Sequence, residues 1–215
     1  MAEKAILYGY RFSSCSWRVR AALLAKRIPF EERAVDIVRG REQLTAQYRA
    51  INPAQKVPAL VIDGVTLVES IAIVQYLEDT RPLPALTPKS PLDKARMTEI
   101  CQTIVSGIQP LQNIGLKNFL TSDEEYTRFS LHWCERGLET LEELLGRTAG
   151  THCVGDQLTV ADLCLVPQLF NLTHRFKMDI SKHPTVTRLN TQLLAQDLFQ
   201  RSHPNTLKKE KDAQT

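Results

Sequence analysis

Apolar residues near the start of the chain fall in short runs separated by turn residues; further along they recur at helical spacing. Ala5-Ile6-Leu7-Tyr8 is a short apolar segment and predicts a strand. Val19, Ala22 and Leu23 then keep a helical period, predicting a helix from roughly Ser14 to Arg27 that Pro29 stops. Phe30 to Val35 can extend as a second strand, and Glu42 to Ala50 reads as a short helix ended by Asn52-Pro53. Ala59-Leu60-Val61-Ile62 and Val65-Thr66-Leu67-Val68 flank Asp63-Gly64, which readily takes the positive φ angles of a tight hairpin turn. Ser70 opens a helix through Tyr76-Leu77-Glu78, with Ile71, Val74 and Leu77 on one face. The predicted order is βαβ followed by αββα.

Pro82, Pro84, Pro88 and Pro91 then crowd a stretch that no helix or strand interior tolerates, and this predicts a linker. Beyond it the strand patterns vanish. Amphipathic stretches cover roughly Leu92 to Phe119, Asp123 to Leu145, Thr159 to Asn171 and Thr185 to Phe199, with Leu131, Leu138, Leu141 and Leu145 at helical spacing in the second. The chain thus divides into an α/β domain over 1–81, a Pro-rich linker over 82–91 and an all-α domain over 92–215, whose polar, lysine-rich end from about Asn205 is expected to fray.

Composition narrows the function classes. Lysine and arginine total 27 against 24 aspartates and glutamates, and neither sign forms a long block, so no nucleic-acid footprint is present. Met1-Ala2-Glu3-Lys4-Ala5 runs into a strand pattern and not a signal-peptide core, and no apolar run approaches the roughly 18 residues that span a bilayer. A soluble, intracellular protein without a membrane partner is expected. Cys15, Cys101, Cys134, Cys153 and Cys164 are odd in number, far apart and never C-x-x-C, which predicts reduced thiols and neither a disulfide framework nor a zinc site. The histidines show no metal-ligand spacing, and no metal is expected.

Candidate chemistry gathers in Ser13-Ser14-Cys15-Ser16-Trp17-Arg18-Val19-Arg20, where hydroxyl and thiol groups lie at a predicted helix start. Serines there cap free N–H groups, and that end of a helix carries partial positive charge that stabilises a thiolate or other anion. Val57-Pro58 stands at the entry to the hairpin, and local sequence alone predicts a trans bond. In Glu69-Ser70 the serine is expected to cap the next helix, leaving N–H groups and its hydroxyl for a carboxylate, with Glu69 able to pair with an ammonium. Thr159-Val160-Ala161-Asp162 is an aspartate form of the capping box and is assigned to folding.

Taken in order, these features resemble the cytosolic glutathione transferases over nearly the whole chain, from about Ile6 to Pro204. Within that family Ser13-Ser14-Cys15-Ser16-Trp17-Arg18-Val19-Arg20 is similar to the S-S-C-x-W-R-V-R signature of the zeta class. Gly107-Ile108-Gln109-Pro110-Leu111-Gln112-Asn113 and Cys153-Val154-Gly155-Asp156 resemble further zeta segments. The resemblance implies a thioredoxin-like N-terminal domain, a helical-bundle C-terminal domain, glutathione as cofactor, a small-molecule substrate, a homodimer and a cytoplasmic location. It implies Ser13 as thiol activator, with Ser14 and Cys15 beside it as catalytic candidates, and Ser13, Ser14, Cys15, Ser16, Trp17 and Arg18 as glutathione-binding residues. It further implies a cis Val57-Pro58 bond that turns the Val57 backbone toward the cysteinyl part of glutathione. Glu69 and Ser70 match positions holding the γ-glutamyl end, and Gln43 matches one that reaches the glycyl end. Gln109, Asn113, Ile114 and Gly115 match positions of the helical domain that close over the ligand. Arg175 matches an arginine that binds a substrate carboxylate, with Arg11 a second cation to consider. Gly115 stands where relatives have a serine, which removes one side-chain hydrogen bond, and Ala21 replaces the usual isoleucine.

The activity so implied is glutathione-dependent cis–trans isomerisation of maleylacetoacetate to fumarylacetoacetate in phenylalanine and tyrosine catabolism, with transferase activity on small α-halo acids. General glutathione conjugation, a Cys15-based thiol oxidoreductase and a non-catalytic protein on the same fold are the competing readings. Fold alone does not choose among them.

Overall fold

β1 (Ala5–Gly9) alternates buried and half-buried positions and lies inside a four-stranded sheet ordered β2-β1-β3-β4, in a computed structural model that describes residues 4–207. The crossover helix α1 (Ser14–Ala25) returns the chain to β2 (Phe30–Ala34), parallel to β1. β3 (Ala59–Ile62) runs antiparallel to β1, and β4 (Val65–Val68) antiparallel to β3. Asp63 and Gly64 make the hairpin turn at φ 53° and 76°, as the Asp-Gly pair predicts. The segment expected as one helix from Glu42 is two. A 3₁₀ turn (Glu42–Leu44) ends at Thr45, whose hydroxyl accepts from Tyr48 N–H at 3.2 Å and caps α2 (Ala46–Ile51). α3 (Ser70–Thr80) buries Ile73, Val74 and Leu77; Ile71, expected on that face, is half-buried, because the stripe runs from Ser70 at spacings of three and four.

Two compact units result, one within Met1–Ala85 and Asp197–Thr215, the other Leu86–Gln196. Sequence order alone gives α8 (Asp197–Ser202) to the helical domain, yet it packs on α1. Its acceptors explain this. The buried Trp17 indole N–H donates to Ser202 Oγ at 2.8 Å, and Arg20 donates to the Ser202 carbonyl while forming a two-pronged pair with Glu32 on β2. Buried Lys26 meets Glu78 and donates to the carbonyls of Arg81 and Pro84 at 2.7 and 2.8 Å, so its three N–H groups hold the chain leaving α3. No helix or strand occupies the proline-rich stretch until Pro91 starts α4.

In the second unit the amphipathic stretch from Leu92 to Phe119 is not one helix. α4 (Pro91–Gln102) passes into a π-helical turn (Thr103–Ile108), then 3₁₀ turns at Gln109–Gln112 and Ile114–Asn118, since Pro110 offers no N–H to continue the ladder. α5 (Asp123–Thr148) buries Tyr126, Ser130, Cys134, Leu138, Leu141 and Leu145; Leu131 flanks this stripe, half-buried. α6 (Val160–Arg175) is buried continuously from Val160 to Leu169. α7 (Pro184–Leu194) is separated from α8 at Ala195-Gln196, which splits the stretch expected from Thr185 to Phe199. The terminal tail expected to fray lies, from residue 208 onward, outside the described residues.

The box at α6 forms as read. Asp162, fully buried, accepts from Thr159 N–H at 2.7 Å, Thr159 Oγ1 at 3.0 Å and Cys153 N–H at 2.8 Å. Asp162→Ala strands buried donors and should cost about 3–4 kcal/mol, read as a lower urea midpoint at constant slope. Gly137 lets α5 approach the π-helical turn, because a Cβ there would overlap the buried Ile108 side chain. Gly137→Ala should therefore destabilise by about 1–3 kcal/mol despite alanine's better helix propensity; a raised melting temperature would disprove the contact.

Candidate functional site

The sheet register brings the site segments of the first unit to one end. Tyr8 pairs with Ala59 and Ala59 with Val68, while Gly9 pairs with Ala34. Chain leaving β1 toward Ser13, entering β3 from Val57-Pro58, leaving β4 into Glu69-Ser70 and leaving β2 toward Gln43 therefore emerges at the same edge. Ligands of open α/β sheets characteristically bind at such strand ends.

Ser13 is the N-cap of α1 at φ −75°, ψ 120°, and its Oγ accepts from Ser16 N–H at 3.2 Å. With a lone pair committed inward, the hydroxyl proton remains to be donated to an anion. The first turn of α1 contains no acidic residue to offset the positive end of its dipole. Ser13 and Cys15 are half-buried, Ser14 is 3% exposed and Ser16 fully buried. Ser16 Oγ accepts from Tyr10 N–H, which folds the β1–α1 connection over the helix start. None of the five cysteines is in a disulfide, and Cys15 alone is not buried. Burial pushes the Cys134 thiol up to about 12 and raises Cys153 as well. Neither is a nucleophile near neutral pH.

Ser70 does not cap α3. Glu69 occupies the cap position without a side-chain bond, and Ser70 is the first helical residue. Its hydroxyl accepts from the buried Arg18 guanidinium at 2.6 Å, which is why it is turned inward and is unable to reach back over the helix end. The consequence for ligand binding parallels Ser13, since Ser70 also retains a proton to donate. Arg18, expected in the site, reaches it through Ser70, and Trp17 is occupied with Ser202. Glu69 holds φ 65°, ψ 113°, a conformation costing about 1–3 kcal/mol for a residue with a Cβ. It leaves the first N–H groups of α3 without intrahelical acceptors and again with no acidic residue in the first turn.

Val57-Pro58 is cis, so the trans form predicted from local sequence is wrong and the form implied by the resemblance is present. Just ahead of it, Tyr48 Oη and Asn52 Nδ2 both donate to the Lys56 carbonyl, at 2.8 and 2.6 Å, and fix the approach to Val57. Gln43 follows a loop organised by Asp36, whose carboxylate accepts from the N–H groups of Val38, Arg39 and Gly40, which hold it below the usual carboxylate range. Gln43 Nε2 reaches the Ile37 carbonyl only at 3.5 Å, and its Oε1 is buried without a partner. Such an orphaned acceptor oxygen suits an N–H or O–H donor supplied from outside the chain.

The remaining candidates belong to the second unit. Gln109 opens a 3₁₀ turn and is half-buried. Asn113 Oδ1 accepts from Gly115 N–H at 2.9 Å and caps the next turn, with Ile114 and Gly115 exposed. Arg175 ends α6 and donates to the Gln112 carbonyl at 3.2 Å and to the Tyr126 hydroxyl. In the first unit Arg11 stacks on Phe12, 4.3 Å from the ring centre. Tyr126 and Gln112 were not candidates from sequence. Tyr126 shares the apolar stripe of α5, so spacing alone reads it as core. Among the described residues no cluster of histidine, cysteine, aspartate or glutamate could hold a metal ion, and no helix is long and apolar enough to cross a membrane.

Comparison with known proteins matches both units. The N-terminal domain of glutathione S-transferase is found over residues 7–85 and the C-terminal domain over 115–197. Maleylacetoacetate isomerase of Mus musculus is 45% identical over 208 residues, covering 94% of this chain and 94% of its own. The crystal structure of maleylacetoacetate isomerase from Anaeromyxobacter dehalogenans 2CP-1, with glutathione bound in its active site, aligns at TM-score 0.84 and 36% identity over 96% of this chain and 98% of its own. The holo structure of a bacterial maleyl pyruvate isomerase, a glutathione S-transferase of the zeta class, aligns at TM-score 0.88 and 31% identity over 94% of this chain and 97% of its own. With both domains matched and identity sustained along nearly its whole length, the chain belongs to the glutathione S-transferase family, in its zeta class.

Proposed function

We infer that this protein is a maleylacetoacetate isomerase, converting the cis double bond of maleylacetoacetate to the trans bond of fumarylacetoacetate in phenylalanine and tyrosine catabolism. Glutathione is its cofactor and is not consumed, and transferase activity on small α-halo acids accompanies it. The observation that carries this reading is the Ser13 hydroxyl, engaged from within by Ser16 N–H and left with its proton at the positive end of α1.

Direct rotation about a carbon–carbon double bond is prohibitive at ordinary temperature. Bound glutathione supplies a thiolate, a nucleophile able to add reversibly to the conjugated carbon and so suspend that double bond. A free thiol has a pKa of about 8.5, so only a few per cent is ionised at pH 7. Ser13 donates its proton to the sulfur and the N-terminus of α1 adds its dipole; each tenfold gain in thiolate corresponds to about 1.4 kcal/mol. The orphaned Gln43 oxygen, which can accept from a peptide N–H, and the two serine protons supplied by Ser13 and Ser70 fit a tripeptide of this chemistry. Ser70 and the N–H groups of α3 hold the γ-glutamyl carboxylate and Glu69 its ammonium. The Val57 backbone pairs with the cysteinyl unit, and Gln43 reaches the glycyl end. Ser14 and Cys15 stand beside the sulfur, while Ser16, Trp17 and Arg18 hold the helix start in place. Arg175 receives a substrate carboxylate, with Arg11 a secondary cation, and Gln109 and Asn113 to Gly115 belong to the ligand-facing part of the helical domain. A homodimer and a cytoplasmic location complete the proposal on the strength of the family resemblance.

The test is conversion of maleylacetoacetate with and without catalytic glutathione, by the wild type, Ser13→Ala and Cys15→Ala. Turnover should require glutathione without consuming it and fall at least tenfold in Ser13→Ala, with Cys15→Ala largely active. The serine change also removes an N-cap, worth about 1 kcal/mol, so thermal melting is read alongside. Loss confined to Cys15→Ala, with Ser13→Ala fully active, would make Cys15 the working group and favour the thiol oxidoreductase reading. Glutathione binding without turnover would leave conjugation as the activity.

A further inference from the structure

Arg175 ends α6 with its guanidinium seated against neutral oxygens. Nη1 donates to the Gln112 carbonyl at 3.2 Å and Nη2 donates to the Tyr126 hydroxyl, while that hydroxyl donates to the same carbonyl at 2.7 Å. A guanidinium only donates and a carbonyl only accepts, so the bonds of this triangle close in one sense. The tyrosine proton is committed to Gln112, and its lone pair to Arg175. Tyr126 is 2% exposed, and burial raises its pKa despite the nearby Arg175, so it stays a phenol throughout the neutral range. The guanidinium carbon also lies 5.5 Å from the Tyr126 ring centre and 4.9 Å from that of Phe176. Every one of these neighbours is uncharged, so they orient the arginine without cancelling its charge.

We propose that Tyr126 is a positioning residue for the substrate: its hydroxyl holds the Arg175 guanidinium in the orientation that receives a carboxylate. The inference rests on the role given to Arg175 above. A long arginine side chain loses much rotamer freedom on binding, and a guanidinium already held in place loses less. Tyr126 never touches the reacting atoms. Its effect should appear in the affinity for the carboxylate substrate and not in the chemical step.

Four proteins test this: wild type, Tyr126→Phe, Arg175→Ala and the double variant. Tyr126→Phe keeps the ring and removes one oxygen. The KM for maleylacetoacetate should rise about tenfold, the scale of a hydrogen bond to a charged group, with kcat within twofold and the KM for glutathione unchanged. In the Arg175→Ala background the same change should add nothing, because Tyr126 acts through the arginine. A normal KM in Tyr126→Phe, when Arg175→Ala raises it, overturns the proposal, as does an effect that persists without the arginine. If Arg175→Ala itself leaves KM unchanged, the role of Arg175 fails first and this inference with it. Should Tyr126→Phe fold poorly, Arg175→Lys is the second variant. It keeps the charge but lacks the planar fork that meets both oxygens. It should show the same rise in KM, and an unchanged KM would overturn the proposal.

Discussion

A serine hydroxyl has one proton and two lone pairs, and the site in the first unit depends on how that inventory is divided. Ser13 accepts from the backbone of Ser16, and Ser70 accepts from Arg18. Each hydroxyl accepts from the protein and keeps its own proton, which on the proposed reading is donated to a ligand. Had either donated inward, it would present only lone pairs to an anion and repel it. The two helix starts reinforce this, since neither first turn carries an acidic residue. Glutathione brings a sulfur that must ionise and carboxylates that already have, and both call for donors.

The sheet makes these donors act together. Because β4 and β1 run in the same direction with β3 between them, the ends that release Ser13 and Glu69-Ser70 coincide with the end that admits Val57-Pro58. A slip of one residue in that register would invert the faces of the hairpin. Leu60 and Ile62, buried at 0% and 5% exposure, would move to the opposite side. Core burial therefore holds the site in register. The Arg18–Ser70 bond then ties α1 to the start of α3 in the interior, so the two helix ends share a connection that does not pass through solvent.

Most of this was legible because it is local. The Asp63-Gly64 turn, the helix at Ser14 and the Thr159–Asp162 box each require only a few adjacent residues of the right type, and all three formed as read. Two of the misreadings have the opposite property. Ser70 looks like a cap until Arg18, 52 positions away, claims its hydroxyl. The α8 helix looks like the end of the helical domain until Trp17, 185 positions from Ser202, supplies the contact that recruits it. The Leu92 to Phe119 stretch is different: its helical apolar rhythm masks a local breaker, Pro110, and the chain there passes into π and 3₁₀ turns. The cis bond at Val57-Pro58 was legible only through family resemblance. Nothing in the dipeptide itself distinguishes the two isomers strongly enough.

The partners a cation is given also separate Arg20 and Lys26 from Arg175. Arg20 is neutralised by both oxygens of Glu32, and Lys26 by Glu78, and each charge is buried where it fastens one element to another. Buried charges need such partners, because an unpaired ion in a low dielectric is costly. Arg175 follows the other rule. It is exposed, lies over aromatic rings and is bonded to a carbonyl and a phenol, so its direction is specified by neighbours that do not neutralise its charge. An arginine kept for structure is given a carboxylate. On the proposed reading, one held by neutral groups is oriented toward a carboxylate that arrives with the substrate, and Tyr126, by burial and spacing a core residue, serves recognition through it.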